Sequence, residues 1–322
     1  MRRGPMKHTI FANLEQKMIE HFQAGEYQQA LELMEREGRN FPTNRAMADY
    51  WIMCAAARVG DKARVIAVAE TSHQDGLWYG EAMWRMTPSF KSLQGDVDFE
   101  RLVAKSIELQ SADSESVKPV LLEYTPKNPL KDFPLLIALH GNQQSAAKTL
   151  PFWSTAIGAG LALVVPQSEQ VMLKGAYIWD ELETSFRQVQ ECFDSVKQWI
   201  DFDPKRVVLA GHSMGGLVAI QMAMTGQIPA IGFIANGPAL PFEDAPEELD
   251  KAIDFSKECG LRAYFIMGEK DVDIDQDAIR SFVEKMKSAG IACELDIVPG
   301  VTHDYDPKYD AAFLRALKFM NL

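Results

Sequence analysis

The sequence predicts an all-helical N-terminal region followed by an α/β region, in which a mostly parallel sheet is covered by helices on both faces. Three observations carry this. Residues 10–110 place apolar side chains at helical spacing and contain no convincing strand. Residues 110–119, QSADSESVKP, are polar and poor in apolar side chains, as a linker is. From residue 120 onward, short β-rich runs alternate with longer amphipathic stretches, the rhythm of β–α–β units. The expected domains are a helical one at 1–112 and an α/β one at 113–322.

In the first region Leu14, Met18, Ile19 and Phe22 recur at helical spacing, as do Ala30, Leu31 and Met34. In AGEYQQALELMEREGRNFPTN, residues 24–44, the residues Gly25, Tyr27, Ala30, Met34 and Pro42 resemble the second half of a tetratricopeptide repeat. A fainter echo, VGDKARVIAVAE at 59–70, begins about 35 residues later. Met18 and Glu37 stand where that repeat usually has glycine and alanine, and about two repeats are countable where three are normally needed. A plain all-helical packing domain fits the same spacing. SFKSLQGDVDFERLVAKSIEL, 89–109, closes the region with a last helix.

In the second region the expected strands are 120–124, 134–140, 162–167, 206–211, 230–237, 262–268 and 293–300, with helices at 181–200 and 277–290 among the intervening segments. No GxGxxG opens a helix, so no dinucleotide cofactor is expected, and none of another kind.

The 322 residues suffice for a substantial core, and 47% apolar with 24% charged residues is ordinary for a globular protein. A net charge of -12 argues against nucleic-acid or anionic-membrane partners, which attract basic patches. Cys54, Cys192, Cys259 and Cys293 are scattered, with no CxxC pair and no nearby histidine cluster, so they read as buried reduced thiols and no metal site is expected. No signal-peptide h-region and no spanning apolar run occurs, which makes the cytoplasm the expected location.

Chemistry concentrates at LAGHSMGGLV, 209–218. RVVLAG reads as a strand ending in glycine and MGGLVAIQMAM as an apolar helix, so His212 and Ser213 occupy a very short strand-to-helix turn. Gly211-His212-Ser213-Met214-Gly215 fits G-x-S-x-G, in which small neighbours let strand and helix approach while the serine takes a strained backbone and projects its hydroxyl. A glycine-rich turn whose serine only caps the helix is the structural alternative. The N–H of Met214 points to the same place, at the positive end of the helix dipole.

A neutral hydroxyl needs a base, and the base an orienting carboxylate. AYFIMGEKDVDID ends one strand and offers Asp271, Asp273 and Asp275, and ELDIVPGVTHDYD ends the next and offers His303, the last of six histidines. Ser213, Asp271 and His303 are the expected catalytic set. Asp271 is preferred for its three-residue offset from Gly268, with Asp273 as the other candidate. A second oxyanion donor is expected from the strand end His140-Gly141-Asn142, through the N–H of Asn142, with His140 as a buried histidine shaping the loop.

With these residues in view, 117–322 resembles an α/β-hydrolase domain, through H-G-N at 140–142, G-H-S-M-G at 211–215, G-E-K-D at 268–271 and the late His303. The compact order is most similar to carboxylesterases, acyl-protein thioesterases and dienelactone-hydrolase-like esterases. The resemblance implies a doubly wound sheet and a serine hydrolase that cleaves a small-molecule carboxylic ester or thioester through an acyl-enzyme on Ser213. The dienelactone branch typically carries cysteine at that position, and the oxyanion segment is not the HGGG of hormone-sensitive-type lipases. Tyr177 and Trp179, in KGAYIWDELE, are candidates for pocket walls, local core being the other reading. Two rivals stand beside the esterase: a prolyl-oligopeptidase-type peptidase, which normally brings a β-propeller, and a non-catalytic protein that binds a partner through its helical domain.

Overall fold

Polar breaks between apolar stripes divide the first hundred residues into helices that pack on their sequence neighbours. The computed structural model describes residues 11–113, 121–124, 132–198, 200–303, 305–306 and 308–322; most of the expected linker and the N-terminal residues 1–10 lie outside them. The helices are α1 (Phe11–Gln23), α2 (Tyr27–Glu37), α3 (Arg45–Arg58), α4 (Lys62–Gln74), α5 (Glu81–Met86) and α6 (Val97–Ala112). The α1–α2 and α3–α4 hairpins turn through glycines of positive φ at equivalent places, Gly25 (75°) and Gly60 (82°). Asp61 and Asp96 cap α4 and α6 by accepting backbone N–H groups, which satisfies donors that a helix start leaves open. Tyr79, Trp84, Phe90 and Phe99 form a buried aromatic cluster in this unit.

The chain divides into two compact units, Met1–Val117 with Val171–Lys174, and Lys118–Gln170 with Gly175–Leu322. In the second, seven strands form one sheet in the order β1-β3-β2-β6-β7-β8-β9. These are β1 (Leu121–Tyr124), β2 (Phe133–Leu139), β3 (Ala162–Pro166), β6 (Phe202–His212), β7 (Gly232–Asn236), β8 (Arg262–Gly268) and β9 (Ala292–Val298), with β4 (Gln170–Leu173) and β5 (Ala176–Ile178) outside the sheet. Within the seven-stranded sheet β1 pairs antiparallel with β3, and the other strand pairings are parallel.

Parallel strands need crossovers, and the helices α7 (Ala146–Trp153), α8 (Thr155–Gly158), α9 (Leu182–Val196), α10 (Ser213–Met224), α11 (Pro246–Glu258), α12 (Gln276–Ser288) and α13 (Tyr309–Phe319) lie between and after them. Alternation sorts the strand side chains onto two cores. Leu135, Ile137, Val207, Leu209, Phe233 and Phe265 pack with α9, α10, α11 and α12. Leu136, Ala138, Val208, Ala210, Ile234 and Ile266 pack with α7, α8 and α13.

The strand order reverses where β2 meets β6: the chain steps from β2 outward to β3, then returns to build β6 on the other flank of β2. Such a switch point opens a crevice at the carboxyl ends of the two strands. Those ends carry His140–Asn142 and His212–Ser213.

One expectation fails in part. Cys54 and Cys293 are buried, but Cys192 is only partly covered and Cys259, which caps α11, is exposed. Among the described residues no helix is long and apolar enough to cross a membrane.

Candidate active site

β6 ends at His212 and α10 begins at Ser213 with nothing between them. Ser213 pays for that sharpness with φ 52°, a left-handed conformation that L-residues adopt at a cost of roughly 1–2 kcal/mol. The neighbouring glycines are required by close approach. A Cβ on Gly211 would lie 2.3 Å from the carbonyl of Gly215, and one on Gly215 would lie 2.2 Å from the carbonyl oxygen of His140. Strand end, helix start and the β2 turn are therefore pressed together at van der Waals distance. The sequence signal of small residues around a hydroxyl has this physical origin.

Asp271 follows β8 and His303 follows β9. The Asp271 carboxylate is buried; its Oδ1 accepts the N–H groups of Asp273 (3.0 Å) and Ile274 (3.2 Å). Its Oδ2 lies 2.9 Å from His303 Nδ1. A proton on Nδ1, donated to that carboxylate, leaves Nε2 as the basic nitrogen. Asp273 is exposed, and although its carboxylate lies in the same cluster, the hydrogen bond to His303 belongs to Asp271. Asp271, Asp273 and His303 offer ligand atoms within 4.8 Å of one another, but both Asp271 oxygens are already engaged, which leaves a poor donor set for a cation.

The turn after β7 binds these parts to the serine. Ala239 N–H donates to the carbonyl of Ser213 (3.3 Å). A Cβ on Gly237 would lie 3.2 Å from both Asp271 Oδ2 and His303 Nδ1. The ring of His212, adjacent to the serine, lies 4.7 Å from the ring of His303. Among the described residues the Ser213 hydroxyl makes no hydrogen bond to His303, so the two are brought to one turn cluster without being joined.

The β2 turn offers one uncommitted donor. Gly141 N–H is taken by Gln144 Oε1 (3.2 Å), Gln143 N–H by the carbonyl of Tyr177 (2.8 Å), and Gln144 N–H by the carbonyl of Gly141 (3.3 Å). The N–H of Asn142 has no partner among the described residues. Its side chain fixes the turn from outside, with Nδ2 donating to Asp180 (2.6 Å) and Oδ1 accepting from Trp179 N–H (2.9 Å). The N–H of Met214 stands in the first turn of α10, where helical backbone donors are unmatched.

His140 is fully buried beneath this turn. Its Nδ1 donates to the carbonyl of Gly141 (2.7 Å) and its Nε2 accepts from Ser168 N–H (3.1 Å). Burial pulls its pKa from 6.5 down to about 4, which keeps the ring neutral. Tyr177 and Trp179, considered as pocket walls, sit in the packed layer instead. Both are buried, Trp179 lies against the His140 ring (4.8 Å), and its Nε1 donates to the His140 carbonyl (2.8 Å).

Sequence reasoning passed over three contributors. His212 occupies a variable position of G-x-S-x-G, Gly237 directly follows the end of β7, and Tyr305 follows His303 by two. The Tyr305 ring lies 4.5 Å from His212, is stacked at 4.0 Å on Phe152, and its hydroxyl accepts from Trp153 Nε1 (3.0 Å). His212 Nδ1 donates to the carbonyl of Asn236 (3.0 Å). Burial first, and then the neighbouring His303, hold the His212 pKa well below 6.5.

Comparison with known proteins follows the same lines. The model of the dienelactone hydrolase family matches residues 166–315. An uncharacterized protein from Bacillus cereus ATCC 10987 is 21% identical, with 97% of this chain and 99% of that one covered and a TM-score of 0.54. Thermogutta terrifontis esterase 2, solved phosphonylated by cyclosarin, is 18% identical over 64% of this chain and 89% of its own, with a TM-score of 0.50. Esterase PE8 is 17% identical over 62% and 99%, also with a TM-score of 0.50. No curated protein matches the chain by sequence.

Proposed function

The second unit has the α/β-hydrolase fold, and from that premise we propose that the chain is a serine esterase, cleaving a small-molecule carboxylic ester or thioester through an acyl-enzyme on Ser213. The observation that carries this reading is the 2.9 Å pair of Asp271 with His303, set against the same turn cluster as a serine held at φ 52°.

Ser213 Oγ attacks the acyl carbon while His303 Nε2 takes the hydroxyl proton, and the carbonyl electron pair moves onto oxygen. Asn142 N–H and Met214 N–H receive that oxyanion. Collapse breaks the bond to the leaving oxygen or sulfur, which collects the proton from His303. Water then gives a proton to the same nitrogen, attacks the acyl-enzyme, and the proton returns to Ser213 as the acid departs. Asp271 keeps the imidazole in the working tautomer and steadies it when charged. A long serine–histidine approach is common before substrate binds and tightens on the reaction path.

A peptidase of the prolyl-oligopeptidase type is less well supported, because the described residues 11–112 form helices rather than the strands of a propeller. The paired helical hairpins favour a partner-binding role for that unit, beside catalysis rather than in place of it. Acidic charge and free thiols support a cytoplasmic location.

A fluorophosphonate probe followed by peptide mapping tests the assignment. Modification at Ser213 is the expected result. An unmodified Ser213 in folded protein overturns it and leaves the non-catalytic reading.

A further inference from the structure

Ser213 opens α10, and Leu217 follows at a step of four, so these two are neighbours on the helix surface. Leu217, Gln221 and Thr225 line a cleft of about 940 Å³ that runs between α9 and the segment after β7. Its apolar lining is Leu182 and Phe186 from α9, Leu217 from α10, and Leu240 and Phe242 from the later segment. Leu217 stands one turn, about 6 Å along the axis, from Ser213. The Leu240–Phe242 segment is tied to the serine by the bond from Ala239 N–H to its carbonyl. The lining of the cleft thus begins one turn along α10 from the serine.

Its rim has one sign of charge. Glu183, Glu243, Asp244 and Glu248 line it and are exposed; Glu248 shares its charge with Lys251. The lining cation, Arg187, is already held by Glu169 and Glu191.

In the proposed reaction the acyl half of the substrate becomes bonded to Ser213 and stays anchored at the head of α10, whereas the leaving group departs. Resting on that reading, we infer that the cleft seats the acyl arm. Its apolar floor rewards an arm of several carbons, and its acidic rim selects neutral or cationic arms and repels those that end in a carboxylate or phosphate.

The test compares p-nitrophenyl acetate, p-nitrophenyl hexanoate, the mono-p-nitrophenyl ester of adipic acid, and an ester of similar length ending in trimethylammonium. For the wild-type protein at low salt, kcat/KM is expected to rise from acetate to hexanoate and to fall by roughly tenfold from hexanoate to the adipate ester, the gap narrowing at high salt. The trimethylammonium ester should match or exceed hexanoate. Combining Glu243→Lys, Asp244→Lys and Glu248→Lys should raise the adipate-to-hexanoate ratio by roughly tenfold. Phe242→Ala should lower hexanoate more than acetate. Hexanoate no better than acetate in the wild type, or a ratio unmoved by the reversed rim, overturns the inference. Absence of acetate hydrolysis in the wild type, or its persistence in Ser213→Ala, would instead sink the nucleophile assignment, and this inference with it.

Discussion

The ring of His212 lies 4.7 Å from the ring of His303, tilted 37° to it. Two contacts thereby define one imidazole. Asp271 holds its Nδ1 at 2.9 Å, and a buried neutral ring, itself fixed by the Asn236 carbonyl and Tyr305, lies against its face.

Removing that brace should misplace the base without touching substrate. His212→Ala is expected to lower kcat by roughly 10- to 100-fold with KM little changed, since small misplacement of a catalytic group is costly. His212→Phe, which restores a ring, should recover part of the loss. Steady-state kinetics on p-nitrophenyl acetate checks both, and an alanine variant as fast as wild type contradicts the brace.

Gly237 abuts the pair from the other direction, with φ 49° and 3.2 Å between a notional Cβ and each partner. Gly237→Ala should therefore cost about 1 kcal/mol of stability, measured by urea denaturation, and lower kcat as Asp271 and His303 are pushed apart. An alanine variant matching wild type in both would show that this contact is slack.

Strain at Ser213 gives the opposite sign. Glycine adopts positive φ readily, so Ser213→Gly should abolish turnover yet raise the urea midpoint, by about 1 kcal/mol in stability. A midpoint below that of wild type would place stabilising contacts in the hydroxyl that the structure does not contain.

The depressed His140 pKa, about 4 against 6.5, makes a pH prediction. Between these values the unfolded chain binds a proton that the folded chain does not, so stability rises with pH through this window. The contribution is fully present above about 6.5 and is lost progressively as pH falls toward 4, by up to roughly 3 kcal/mol at 1.36 kcal/mol per unit. His140→Gln should be less stable than wild type at neutral pH but lose less between pH 6.5 and 4. Equal pH slopes in urea titrations of the two proteins would contradict a neutral buried ring.

Strand positions were largely legible because buried parallel strands are short, apolar and bounded by breaks; RAYFIMG at 262–268 is a strand over that whole range. β6 begins earlier than the apolar run suggests, at Phe202, because Asp203 to Lys205 carry no apolar signal. α13 went unmarked among the candidate elements, and only its packing with the second core makes its role plain. At the site, strand-end logic selects Asp271 and His303 as neighbours, and their hydrogen bond joins residues 32 apart. What distinguishes Asp271 from Asp273 is burial and two backbone N–H donors, which a run of alternating acids does not encode. The His212–His303 and Gly237 contacts were invisible for the same reason: they arise where separate loops meet. Tyr177 and Trp179 were found as a pair near the site, but which way they face depends on packing beneath the β2 turn.

The central claim is that one hydroxyl carries the chemistry, and the most direct test is the turnover of p-nitrophenyl acetate by Ser213→Ala, in protein whose urea midpoint confirms that it is folded. The account predicts a loss of at least roughly 10³-fold in kcat. Hydrolysis at the wild-type rate by the folded variant would contradict it.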